Sequence, residues 1–267
     1  MLSNKGKASD VRVTACVRNT DDGKQDAYTL ALLVKDRLGR VVAECSETKK
    51  IKAGEVCAYD LKTPEIKYPE LWSPNSPSLY TLESRLYAGK HLLDMEEIVF
   101  GFRWFKWTKD KGFFLNGQHY YFRGANVHQD QAGWGDAVTD AAAYRDVCQM
   151  KEAGFDMIRG SHYPHSPAFS DACDREGMLL WSEAPFWGTA GPKVDGVWTA
   201  VAYTVIAADT AAFEANVLQQ LEEMIRIHRN HPSVFVWSLC NEPFFTDGRS
   251  LPGVRRLLKR MVDVAHR

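Results

Sequence analysis

Near Leu115 the apolar residues of this chain change their period, and no single layer of secondary structure accommodates both rhythms. Ahead of that point the pattern alternates. Val11-Arg-Val-Thr-Ala-Cys-Val17 has period two and runs into the turn residues Asn19-Thr-Asp-Asp-Gly23. Such alternation fits a strand with one buried face. Residues 28–34 follow, then Asp36-Arg-Leu-Gly39 as a hairpin turn, then 41–45, 56–61, 79–87 and, after the turn at Gly89, 97–100. About seven short strands at roughly 8–12-residue spacing predict an immunoglobulin-like β-sandwich, placed here over residues 1–107.

From residue 108 to 267 the rhythm is strand, helix, strand, helix. Strands are expected at 119–126, 157–161, 178–183 and in the run ending at Asn241-Glu242. A helix over 141–153 has Tyr144, Val147, Cys148 and Met150 on its inner side and Gly154 closing it. Ser166 as N-cap and Pro167 open a second helix that Gly177 ends. Phe213, Val217, Leu221, Met224 and Ile225 stripe a third, stopped at Asn230-His-Pro232, and a fourth starts near Leu251. Residues 184–208 are too long for a plain connector and read as a lid or wall beside a site. The four βα units are the first half of a TIM (β/α)8 barrel, whose closed form takes roughly 250 residues. The reading therefore expects a barrel continued outside this chain, and a chain that alone self-associates or pairs with the missing barrel half through its bare strand edges.

Composition narrows the partners. A formal net charge of -1 offers no attraction to nucleic acid or an anionic membrane. No apolar run approaches the roughly 20 residues of a membrane-spanning helix. Met1-Leu-Ser-Asn-Lys-Gly-Lys7 lacks the apolar core of a secretory signal, which leaves bacterial periplasm and cytoplasm both open. Cys16, Cys45, Cys57, Cys148, Cys173 and Cys240 are spread without paired short spacing, so neither a zinc site nor a redox pair is indicated.

Chemistry in such barrels collects at the C-terminal ends of the strands. Val234-Phe-Val-Trp-Ser-Leu-Cys-Asn241-Glu242-Pro243 is an apolar strand that ends in an amide and a carboxylate. A Glu in that place suits general acid work, and Asn241 offers a sugar hydroxyl both a donor and an acceptor. His128 and His162 end the first and second strands; each is either a hydroxyl-binding imidazole or a satisfied core histidine. Taken alone, Asp130 reads as a solvated loop acid and Arg159 as half of a salt bridge inside the barrel. Glu183, at the third strand end, reads as a supporting group. Trp134, Phe186, Trp187 and Trp198 lie in loops on the same face, where rings stack on sugars or simply pack.

In order along the chain stand Pro69-Glu-Leu-Trp-Ser-Pro-Asn-Ser-Pro-Ser-Leu-Tyr80, Gly101-Phe-Arg103, Leu115-Asn-Gly117, Arg123-Gly-Ala-Asn-Val-His128, Arg159-Gly-Ser-His-Tyr-Pro164 and Asn230-His-Pro-Ser-Val234 through Asn241-Glu242. In these stretches the chain resembles glycoside hydrolase family 2, the group of β-galactosidases, β-glucuronidases and β-mannosidases. The resemblance implies a retaining mechanism with two carboxylates roughly 5–5.5 Å apart. It implies that Glu242 is the general acid/base and that Asn241 holds the sugar 2-hydroxyl. His128 and His162 would bind hydroxyls, Arg159 would support the nucleophile, and that nucleophile would be a Glu beyond Arg267. Asp130 matches a glucuronidase-type His-x-Asp. Where some family galactosidases bind a divalent cation, Trp187 and Thr189 stand, so neither metal nor other cofactor is expected. The substrate implied is a carbohydrate with a terminal β-linked sugar, a β-galactoside first, with a glucuronide or mannoside as alternative. An endo-acting glycanase and a non-catalytic carbohydrate-binding or structural module are the remaining rivals.

Overall fold

The computed structural model describes residues 7–20, 26–187, 189–190, 200–204, 206–244, 248 and 250–267. The chain divides into two compact units, 1–121 and 122–267.

In the first unit, β1 (Arg12–Arg18), β2 (Asp26–Lys35), β3 (Val41–Ile51), β4 (Val56–Lys62), β5 (Tyr80–Ala88) and β6 (His91–Phe100) are the long strands. They form an antiparallel four-stranded sheet in the order β3-β2-β5-β6 and a β1-β4 pair. Alternate residues carry the core between them: Tyr28, Leu30, Leu32 and Val34 of β2 pack with Tyr59 and Leu61 of β4 and Leu82 of β5. Tyr59 is fully buried and donates its hydroxyl proton to the Tyr28 carbonyl at 2.8 Å, which removes the cost of a buried phenol. The expected turn at Asp36 forms as the sequence suggests. The Asp36 carboxylate accepts the Leu38 and Arg40 amides, and Gly39 takes φ 76.

Two strands are longer than expected. β3 runs on to Ile51 because its pairing with β2 continues along its whole length. β6 begins at His91, directly after the turn at Gly89 (φ 59); its first half is solvent-exposed and so carries no alternation to read. A small sheet follows, of β7 (Phe105–Thr108), β8 (Gly112–Leu115) and β9 (Gln118–His119). Here an expectation is corrected: of the strand expected over 119–126, only 124–126 lie in a parallel strand, and His119 pairs in this small sheet instead. Asn116 (φ 51) and Gly117 (φ 86) make a tight hairpin turn that folds residues 118–119 back on Phe114 and Leu115.

In the second unit, β10 (Gly124–Val127), β11 (Met157–Gly160), β12 (Leu179–Glu183) and β13 (Val234–Ser238) form one parallel sheet in chain order. Helices α1 (Asp140–Glu152), α2 (Pro167–Glu176), α3 (Thr210–His228) and α4 (Leu251–Ala265) alternate with them as βα units of a partial TIM barrel. Thr139 caps α1, accepting the Ala142 amide at 3.3 Å, and Gly177 (φ 71) closes α2 in the left-handed conformation. Ser166 precedes Pro167 as expected, but its side chain makes no capping bond. Val147, Phe169, Cys173 and Met178 are packed with Ile158, Leu180 and Val234 of the sheet, while Val217, Leu221, Leu257 and Met261 join α3 to α4. Tyr144, expected on the inner side of α1, is exposed, because its hydroxyl reaches out to the Glu176 carboxylate.

Candidate active site

The parallel register brings the strand ends level: Val127 pairs with Gly160, Gly160 with Ser182, and Glu183 with Ser238. His128 follows β10, His162 lies two residues past β11, Glu183 ends β12, and Asn241 and Glu242 follow β13. The His128 and His162 rings meet edge to face with centroids 5.1 Å apart, and Trp187 approaches His162 at 5.8 Å. The Ser161–His162 peptide bond is cis.

At the centre is a buried ion pair. Glu183 has no solvent exposure, and Arg159 donates to it from Nε at 3.1 Å and from Nη2 at 2.9 Å. His162 Nδ1 lies 2.8 Å from Glu183 Oε1, and Ser238 Oγ donates to Oε2 at 2.8 Å. The same Arg159 Nη2 donates to Asn241 Oδ1 at 2.9 Å, while the Asn241 backbone amide is held by the Phe186 carbonyl at 3.0 Å. Five polar residues from three strands and the segments after them are therefore bound into one network. Beside it, Cys240 is kept a neutral thiol, its pKa pushed up to about 11 by burial and then by the Glu183 charge.

Glu242 is exposed and takes φ 46, a left-handed conformation uncommon for a non-glycine residue. Its carboxyl thus projects to solvent directly after the anchored Asn241. Arg159 makes the salt bridge that was one of its two readings. Asp130 is exposed; with Asp136 its charge adds to burial, the larger cause, in raising the pKa of the Tyr163 hydroxyl. Trp134 is exposed in the turn closed by Gln131 and Gly135. Phe186 takes the packing alternative: it is buried against Phe213 in the α3–α4 core, so it offers a sugar no face. Trp198 and the side chain of Thr189 lie outside the described residues.

Two participants went unnoticed in the sequence. Ser238 is the last residue of β13, and its hydroxyl serves Glu183. Tyr163 accepts the Gln129 amide at 3.0 Å and sits 3.5 Å from His128 Nδ1, tying the first strand end to the second. The Ser-His-Tyr-Pro run was the available signal for Tyr163; no local signal existed for Ser238.

Among the described residues, the side chains with metal-ligand spacing are Asp171, Asp174 and His231, all within 4.8 Å of one another. His231 precedes β13, at the sheet end opposite Glu242. Its Nδ1 already bonds Asp174 at 2.7 Å.

A family profile described as glycosyl hydrolases family 2, TIM barrel domain, matches residues 107–266, and a second, glycosyl hydrolases family 2, matches residues 2–103. The β-glucuronidase of Bacteroides fragilis is 33% identical over 234 residues, covering 87% of this chain and 32% of that protein. A β-galactosidase of Lactobacillus delbrueckii subsp. bulgaricus is 30% identical over 252 residues, covering 88% of this chain and 24% of that protein. The crystal structure of Bacteroides uniformis β-glucuronidase superposes with a TM-score of 0.80 at 32% identity, over 97% of this chain and 30% of its own. The chain thus spans a quarter to a third of the length of these relatives.

Proposed function

The chain belongs to the glycosyl hydrolases of family 2, and on that premise we propose that it carries the acid/base side of the active site of a retaining β-glycosidase. The reading rests on one observation: exposed Glu242 stands directly after an Asn241 that Arg159 holds in place, beside His128 and His162. Glu242 protonates the departing glycosidic oxygen and later takes a proton from the water that releases the covalent sugar. Asn241 binds the 2-hydroxyl, His128 and His162 meet other hydroxyls, and Trp187 offers an apolar face. Asp130, at the rim, is the outermost candidate contact. Glu183 is unsuited to nucleophilic attack, since it is buried and both its oxygens are occupied. The nucleophile is therefore assigned to a further carboxylate of the whole protein, roughly 5–5.5 Å from Glu242. The 267-residue chain alone is expected to turn over no glycoside.

The substrate is a terminal β-linked sugar. A β-galactoside is one form of the reading. A β-glucuronide is the other, favoured by Asp130 two residues after His128 and by the names of two relatives above. Aryl β-galactosides and aryl β-glucuronides with graded leaving groups, given to the full-length protein, separate the two. The same panel tests Glu242. Glu242→Gln should slow poor leaving groups by about 100- to 10,000-fold and activated ones little, because acid help matters most for a basic departing oxygen. Equal loss across the panel would remove Glu242 from the role.

A further inference from the structure

One buried carboxylate holds both His162 and, through Arg159, Asn241, the residue before the candidate acid. The ion-paired Glu183 only accepts hydrogen bonds, so the proton in its 2.8 Å contact with His162 sits on Nδ1. In a neutral imidazole this leaves Nε2 as an acceptor. Arg159 Nη2 also lies 3.3 Å from His162 Nδ1, a longer approach that a protonated Nδ1 makes non-bonding. On the other flank, Arg159, held by Glu183 at two nitrogens, donates to Asn241 Oδ1 at 2.9 Å. The amide's acceptor is then used within the protein, and its Nδ2 donor faces away from the guanidinium.

We propose that Glu183 is a positioning residue that writes the hydrogen-bonding pattern of the sugar site, directing His162 Nε2 to accept and, by way of Arg159, Asn241 Nδ2 to donate. A sugar ring hydroxyl that donates to His162 and a neighbouring oxygen that accepts from Asn241 match this pattern. The pattern is a property of these side chains; only its occupant rests on the glycosidase reading.

The test separates the two. Selective nitrogen-15 histidine labelling of the full-length protein, with His162→Gln to assign the resonance, reads the tautomer without any turnover. The expected wild-type proton is on Nδ1. In Glu183→Gln the new amide can donate to Nδ1, and the proton should shift wholly or partly to Nε2. A wild-type His162 protonated at Nε2 alone overturns the proposal, and decides the matter by itself if Glu183→Gln does not fold. In kinetics, Glu183→Gln should lower kcat/KM by about 10- to 100-fold, the scale seen when the outer partners of catalytic ligands are removed. Adding His162→Ala to it should then cost less than His162→Ala costs the wild type. Fully additive losses would show that Glu183 does not act through His162 and would also overturn the proposal. Should no glycoside be turned over while the tautomer is as expected, the positioning role stands and the glycosidase reading fails.

Discussion

Two buried networks of carboxylate and histidine occupy opposite ends of the same parallel sheet, and they bind different things. At the end where β13 begins, Asp174 accepts His231 Nδ1 at 2.7 Å and the Ser233 backbone amide at 2.9 Å. His228, 5.6 Å from the His231 ring, pairs with Ser170 at 2.9 Å. That carboxylate grips the chain itself and so fixes where the last described strand starts. At the other end, among the described residues, every hydrogen bond to the Glu183 carboxylate comes from a side chain: Arg159, His162 and Ser238. It fixes how groups point while leaving the chain's path to others. The residue types are the same; what distinguishes the two ends is whether the carboxylate holds backbone as well as a side chain, or side chains alone. Barrels in general keep stability at the first end and chemistry at the second.

The contrast breaks if the two ends respond alike to mutation. Asp174→Ala should cost about 3–5 kcal/mol of stability, the scale for removing one partner of a buried pair, with kcat/KM per folded molecule of the full-length protein unchanged; denaturant melts alongside kinetics check it. His162→Ala should do the opposite, lowering kcat/KM by about 2–4 kcal/mol, as when a substrate hydroxyl loses its partner, with the melting temperature nearly constant. A destabilised His162→Ala with normal kinetics would return that ring to the core.

Acid sharpens the comparison. Burial lowers the pKa of both His165 and His228 to about 4, so the folded chain resists a proton that the unfolded chain binds below about 6.5. Stability should therefore fall as pH drops from about 6.5 to about 4, on the order of 3 kcal/mol for His165. His231 works in the other direction. Burial opposes its charge, but the Asp174 bond and charge prevail and raise its pKa, so its contribution is present below 6.5 and lost as pH rises through the raised value. Urea melts across this range should show the acid loss diminished in His165→Gln; an undiminished loss would remove His165 from the account. The smallest effect expected is at the N-cap of α1, which belongs to neither network: Thr139→Ala should cost about 1 kcal/mol in the same melts and leave kinetics untouched.

Much of this was legible in the chain. Alternation from Val11 to Val17, Pro167 and Gly177 around α2, and the apolar run ending at Asn241-Glu242 each reflect local physics, and each element formed. What the sequence withheld was long-range or ambiguous. Ser238 serves a Glu183 that is 55 residues away, and Asp174 meets His231 across 57. Neither separation leaves a periodic trace. Phe186 and Trp187 are neighbours with the same apparent promise, yet one is buried among Phe213 and its cluster while the other faces His162. Only tertiary packing separates them. The hairpin at Asn116-Gly117 was readable in principle, but the aromatic run beyond it imitated a strand.

The backbone at Glu242 has a consequence for anyone who engineers this protein. At φ 46 the position suits glycine, and a side chain there costs about 1–2 kcal/mol of backbone preference. Exposed as it is, Glu242 has little packing to offset that cost. A campaign that ranks variants by heat resistance alone would reward Glu242→Gly and report success, having discarded the carboxylate proposed above as the acid/base.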